Sequence, residues 1–336
     1  MRRLFAIFLA VLLLTGCASA PEAESKLNFT DDLGYPVSLS SWERVVSLYG
    51  SFAETWLLAG GTLVGTTQDA VTERNLSLGE EVAIVGTVKE PNLEQIIAAQ
   101  PDFVILSADT PNQVKLHDAL SRANIPHAYY RVDTFSDYLA MLEQFCTMTG
   151  RSDLYEENGL AVQARIDTVL DAVSGEPSSE VLLLRAYSTG VKAKGADNLA
   201  GFMLQDLGAV NIAHREDSLL ENLSLEAIVA ADPDHIFITT MGNEKAALTY
   251  LSENWESNPA WMGLSAVRAG QVTVLPKELF HYKPNANWGE SYAYLAGILY
   301  PQIAAEIQNE AVPYAAFPKI LRHALCGIAL AEGTDV

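Results

Sequence analysis

Three stretches of this chain gather side chains suited to holding a ligand. The run Arg185-Ala186-Tyr187-Ser188-Thr189-Gly190-Val191-Lys192-Ala193-Lys194 is the densest cationic and aromatic stretch in an acidic sequence. Arg185, Lys192 and Lys194 suit an anionic group, and Tyr187 adds an aromatic face with a hydroxyl. In Phe280–Asn285, Tyr282 and Lys283 repeat that chemistry, and His281 adds a candidate axial metal ligand. Tyr49, Ser51 and Phe52 follow an apolar strand signal at the start of a helix, where free backbone amides favour an anion. For each stretch the plainer reading is a solvated loop. The six histidines are scattered without metal-ligand spacing, so neither a protein-held metal nor a cofactor is expected. There is no Gly-x-Ser-x-Gly elbow, P-loop or His-Glu-x-x-His motif, and no enzyme is expected.

A different pattern occurs twice. Asn92-Leu93-Glu94-Gln95-Ile96-Ile97-Ala98-Ala99-Gln100-Pro101-Asp102 is echoed by Ser224-Leu225-Glu226-Ala227-Ile228-Val229-Ala230-Ala231-Asp232-Pro233-Asp234, 132 residues later. Each copy reads as cap residue, short helix, Pro-Asp stop and buried strand. Gln95 is placed to complete a capping box in the first copy. Glu94 and Glu226 fall in a helix first turn, where the dipole favours a carboxylate by ~0.3–1 kcal/mol. Capping is one reading of them, and a matched pair of contact points is the other.

Strand and helix signals alternate around these phrases. The N-terminal half reads as strand Arg44–Leu48, a helix with a Ser51-x-x-Glu54 capping box ending at Gly60-Gly61, and strands from Leu63, Val82 and Phe103. A helix over 112–123, strand Ala128–Arg131 and helix Phe135–Thr149 follow. Ser152–Val173 is one apolar-striped helix of ~33 Å. Alternation resumes with strand Val181–Leu184, a Gly- and Lys-rich loop, helix Leu199–Leu207, the second Glu phrase, helix Lys245–Asn254, strand Val272–Leu275, a loop over 276–286 and helix Trp288–Leu299. Such alternation, with the Glu phrase once in each half, predicts an α/β fold of two lobes with parallel-rich sheets covered by helices. The expected bounds are 27–151, 152–174 and 175–301, with a tail over 302–336 that matches no element.

The chain opens with Met1-Arg2-Arg3 and an apolar run from Leu4 to Leu14, too short for a bilayer span and suited to a signal peptide over 1–16. Leu14-Thr15-Gly16-Cys17 resembles a bacterial lipobox, which implies cleavage before Cys17 and its lipidation. Residues 17–26 then form a tether on the extracytoplasmic face of the cell membrane. Without Arg2 and Arg3 the 21 basic residues fall to 19 against 42 acidic ones, a net charge of −23. That excludes nucleic acid and anionic lipid surfaces as partners. A hydrophobic content of 49% excludes a disordered chain. Cys146 and Cys326 stand in apolar or helical surroundings and read as buried thiols.

Taken in order, Phe29–Gly34, Arg44–Leu48, Asn92–Asp102, Asp206–Asn211, Leu225–Asp234, Asn258–Trp261 and Ala266–Val272 resemble the substrate-binding lipoproteins of ABC importers for iron–siderophore, haem and cobalamin. The resemblance covers about residues 28–301. It implies two Rossmann-like lobes joined by one long rigid helix, the Ser152–Val173 stretch, with the ligand cleft between them, and a monomer that delivers an iron complex, siderophore or haem, to an ABC permease dimer with its ATPase. It also implies that Glu94 and Glu226 meet permease arginines, one per lobe. Relatives that bind bare zinc or manganese carry a His where this chain has Tyr49-Gly50-Ser51. Relatives that bind cobalamin place an aromatic where Val88 and Leu220 stand; that departure ranks a corrinoid, the alternative ligand, below an iron complex. A lipid-anchored enzyme or adhesin is a remoter one.

Overall fold

A computed structural model describes residues 27–214, 219–220 and 223–304. The signal segment, Cys17, the tether, Cys326 and the tail beyond residue 304 lie outside the described residues.

The strands form two five-stranded sheets behind a short hairpin. That hairpin pairs β1 (Leu27–Thr30) with β2 (Pro36–Leu39) antiparallel. The first sheet has β3 (Val45–Ser47), β4 (Leu63–Thr66), β5 (Ala83–Ile84), β6 (Phe103–Ser107) and β7 (His127–Tyr130) in the order β5-β4-β3-β6-β7, parallel throughout. All five residues of β6 are buried, as expected for a strand covered on both faces. The second sheet contains β8 (Glu180–Tyr187), β9 (Gly190–Ala193), β10 (Val210–Asn211), β11 (His235–Thr240) and β12 (Val272–Val274). Its order is β10-β8-β11-β12, parallel, with β9 antiparallel to β8.

Four strands of each sheet correspond, with β4-β3-β6-β7 matching β10-β8-β11-β12. The repeated phrase occupies the same place in each, as the helix and turn before β6 and before β11. Its final Asp does the same task twice. Asp102 N–H donates to Arg44 O at 3.0 Å, and Arg44 N–H returns a bond to Asp102 Oδ1 at 2.9 Å. Asp234 N–H donates to Glu180 O at 2.8 Å, and Glu180 N–H donates to Asp234 Oδ2 at 2.9 Å. Each Asp thus ties the start of its strand to the strand at the sheet's centre.

The link between the lobes is helical over its whole predicted length, with a π turn at Glu156–Leu160 between Ser152–Tyr155 and Ala161–Val173. Within the turn, Asn158 Nδ2 donates to Leu58 O at 3.1 Å, and Tyr138 Oη donates to Asn158 O at 2.9 Å. Beyond the turn, Arg165 pairs with Glu290 of the second lobe. One buried cluster runs from Phe52 and Trp56 through Val162, Ile166 and Val169 to Met203, Trp288 and Leu295. An apolar core shared this way resists independent lobe motion.

Several local expectations are corrected. The Arg185–Lys194 stretch is a hairpin of β8 and β9, because buried Ala186 and Ala193 alternate with polar residues at the period of a strand. The helix at Gly50–Leu58 has no Ser51–Glu54 capping box. Asp69 Oδ2 receives Gly50 N–H at 2.7 Å, and Glu54 is drawn to the buried Arg74. Asn92 caps the first Glu helix through Gln95 N–H at 3.1 Å, which is half of the expected box. A complete box, Thr134 with Asp137, starts the Phe135–Thr149 helix instead. The helix expected over 112–123 is two short ones, Pro111–Val114 and His117–Arg122.

Candidate ligand cleft

The carboxyl ends of both parallel sheets face one gap, the usual binding position in such folds. β3 leads into Tyr49, β6 into Asp109 and β7 into Arg131. From the second lobe, β8 carries Arg185 and Tyr187, and β12 leads through Pro276 to the short helix Lys277–Phe280 and then His281, Tyr282 and Lys283. Bonds crossing the gap prove the juxtaposition. Lys283 Nζ lies 3.3 Å from Asp133 Oδ1, and Tyr282 hydrogen-bonds Glu73. Asn285 Nδ2 donates to Ser51 O at 2.9 Å and to Glu54 Oε2 at 2.6 Å.

Burial sets the protonation of the groups in the gap. Tyr49, stacked at a tilt 4.9 Å from Phe52, is pushed up to about 12 by burial, with Asp69 and Glu73 adding to it. Tyr282 is likewise pushed up to about 12 by burial and by Glu73. Both phenols therefore stay neutral donors. His281 is pushed down to about 4 by burial, with Arg185 and Lys277 adding repulsion, so its imidazole is uncharged at neutral pH. A neutral imidazole is the form that ligates metals. Glu73 is raised, by desolvation first and by Asp69 second. At the rim, Arg131 pairs with Asp109 at 2.8 Å with both side chains close to half exposed.

The structure separates the sequence-predicted residues into groups. Arg185 and Tyr187 share one face of β8, and Lys192 sits directly across from Arg185 on β9. Lys194 is held by Asp197 at 3.3 Å. Tyr49, Arg185, His281, Tyr282 and Lys283 come together at the gap. Ser51 and Phe52 are buried, Ser51 beneath Asn285 and Phe52 in the core, so they support Tyr49 from below. Sequence reasoning missed Glu73, Asp109, Arg131 and Lys277. Arg131 carried a usable signal, since it follows its strand as Tyr49 follows β3.

Glu94 and Glu226 lie far from this chemistry in the chain and are exposed in the first turns of Leu93–Ala98 and Leu225–Ala231. Neither forms an ion pair among the described residues. Residues 45–279 match the family of periplasmic binding proteins. This chain belongs to that family. The periplasmic binding protein fold accounts for the paired sheets and the single helical link. The haem complex of IsdE from Staphylococcus aureus shares the fold with a TM-score of 0.64, at 18% identity over 77% of this chain and 99% of that one. In sequence, the chain is 25% identical to the Fe(3+)-citrate-binding protein YfmC of Bacillus subtilis over 278 residues, 79% of this chain and 86% of that protein. It is 26% identical to a putative ABC transporter substrate-binding lipoprotein, YhfQ, of the same organism over 291 residues, 79% of this chain and 88% of the other. No described helix is long and apolar enough to cross a membrane.

Proposed function

We propose that this chain is a lipid-anchored, extracytoplasmic binding protein that captures an anionic iron chelate between its lobes and passes it to an ABC permease. The observation that carries this reading is the gap itself. Arg185 supplies charge there, Arg131, Lys277 and Lys283 supply charge shared with Asp109, Glu244 and Asp133, and Tyr49 and Tyr282 supply neutral hydroxyls. That mixture suits a ferric chelate whose carboxylate, catecholate or hydroxamate oxygens face outward. Similarity to a Fe(3+)-citrate-binding relative supports the same ligand class. The lobes then span 27–151 and 175–301, and residues 152–174 form the link.

Delivery rests on the matched glutamates, with a two-subunit permease and its ATPase as partners and a monomeric binding protein. Cys17 carries the lipid, in keeping with the lipoprotein relative. Cys17→Ala should release the chain from membranes, and mass spectrometry of the wild type should find lipid on Cys17. The ligand test is titration with Fe(3+)-citrate, with citrate alone and cobalamin as controls. Saturable binding that returns the chelate unchanged is expected. Arg185→Gln should weaken it by about tenfold, or ~1.4 kcal/mol, and Lys194→Gln should matter less because Asp197 already holds that lysine. Wild-type protein that binds no ferric chelate would overturn the reading. Neutral His281 favours haem as the second ligand. A haem spectrum that His281→Ala abolishes would establish it.

A further inference from the structure

The surface around each matched glutamate is also matched. Ile97 is 43% exposed and Val229 42%, the same for practical purposes, although both are large aliphatic residues on short helices. Ile97 stands three residues after Glu94 and Val229 three after Glu226, so each shares a helix face with its glutamate. The next residues inward, Ile96 and Ile228, are completely buried and hold the helices to their lobes. A single exposed aliphatic residue is ordinary. Two at equivalent points of two topologically equivalent lobes, each beside an exposed carboxylate with no ion pair among the described residues, form a repeated pattern.

We propose that Glu94 with Ile97, and Glu226 with Val229, are two copies of one composite docking point. The occupant is a two-fold symmetric pair of membrane-embedded importer subunits. Each subunit offers a basic side chain to the carboxylate and an apolar niche, one helical turn away, to the aliphatic residue. This rests on the delivery role proposed above and adds the apolar half of the contact. Charge complementarity fixes the sign of the partner, and the four-strand correspondence of the lobes fixes its symmetry. The physical need is clear. An exposed ion pair alone contributes little and fades with salt. An aliphatic contact beside it excludes water from the pair and is insensitive to salt. The two points together act through effective concentration, because the shared core holds their spacing.

The test places a photo-crosslinking phenylalanine analogue at position 97 or 229 of the full-length chain in its own host cells. Both positions should crosslink to the same polypeptide, the membrane-spanning subunit of an ABC importer, and Glu94→Lys should remove the crosslink at 97. Ile97→Ser and Val229→Ser should each weaken complex formation with that subunit by about tenfold. Their melting temperatures and Fe(3+)-citrate affinity should be unchanged, and the salt dependence of the remaining binding should persist. Crosslinks to a different class of protein, or full complex affinity in the double Ser variant, would overturn the proposal. A chain that crosslinks at both positions but binds no Fe(3+)-citrate retains the docking surface and loses the ligand reading. One that binds the chelate and crosslinks nowhere does the reverse.

Discussion

Asn285 of the second lobe donates a hydrogen bond to Glu54 of the first at 2.6 Å. Glu54 also pairs with Arg74, and the same Asn285 amide reaches Ser51 O. Asn285 is fully buried and adopts the left-handed region at φ 54°. It lies two residues beyond Lys283, while Ser51 lies two beyond Tyr49. One amide therefore joins the two sides of the cleft.

Asn285→Ala should lower stability by ~1–3 kcal/mol through the lost bonds, and by up to ~1 more because Ala lacks the short polar side chain with which Asn tolerates that backbone conformation. Asn285→Gly removes the same bonds without the second cost. Urea unfolding should rank wild type above Gly and Gly above Ala. Equal stability for Gly and Ala would remove the backbone argument.

The two phrase-ending aspartates should differ in cost. Asp102 accepts from Ser41 Oγ, Glu43 N–H and Arg44 N–H, whereas Asp234 accepts from Glu180 N–H. Asp102→Ala should then cost about 2–3 kcal/mol and Asp234→Ala about 1 kcal/mol. Thermal melts of the two single variants check the order.

Acid should destabilise the chain through its histidines. His281, His127 and His235 all have lowered folded-state values, each chiefly through burial. Folding therefore favours their neutral forms. That stability is complete above the unfolded value near 6.5 and declines as pH falls, down to about 4 for His281. Glu73 opposes this, because its raised value stabilises the fold at acid pH and that effect is lost as pH rises above the unfolded value of 4.5. His281→Asn should flatten the denaturation profile between pH 6.5 and 4. An unchanged slope would place the effect on the other two histidines.

Glu94→Ala and Glu226→Ala should each reduce chelate uptake in part, and the double variant should reduce it severely while solution affinity holds. Were the glutamates only helix-dipole partners, melting temperature would fall by the equivalent of ~0.3–1 kcal/mol each and transport per folded molecule would persist. Uptake and melting measured on the same quantified variants separate the two accounts.

The sequence by itself determined the architecture. Alternating apolar strands and amphipathic helices carry their periodicity locally, and the Phe135–Thr149 and Trp288–Leu299 helices are where patterning puts them. The duplicated Glu phrase announced two related lobes, because its cap, proline stop and buried strand are all short-range signals. The polar residues at the ends of strands were also visible, and five of the ten predicted ligand residues meet at the gap.

Only the tertiary structure decided which polar groups face the gap and which were committed elsewhere. Glu54 reads as an N-terminal capping residue in sequence, yet a buried guanidinium from Arg74 and an amide from the opposite lobe prevail over one backbone N–H. Ser51 is masked by a neighbour 234 residues away, Phe52 lies in the core, and Lys194 is held by Asp197. The neutrality of His281 comes from burial first and then from Arg185 and Lys277, and no local pattern connects Arg185 to the segment that carries Lys277 and His281. Charge and desolvation depend on distance in space, so they become legible only once the chain has folded.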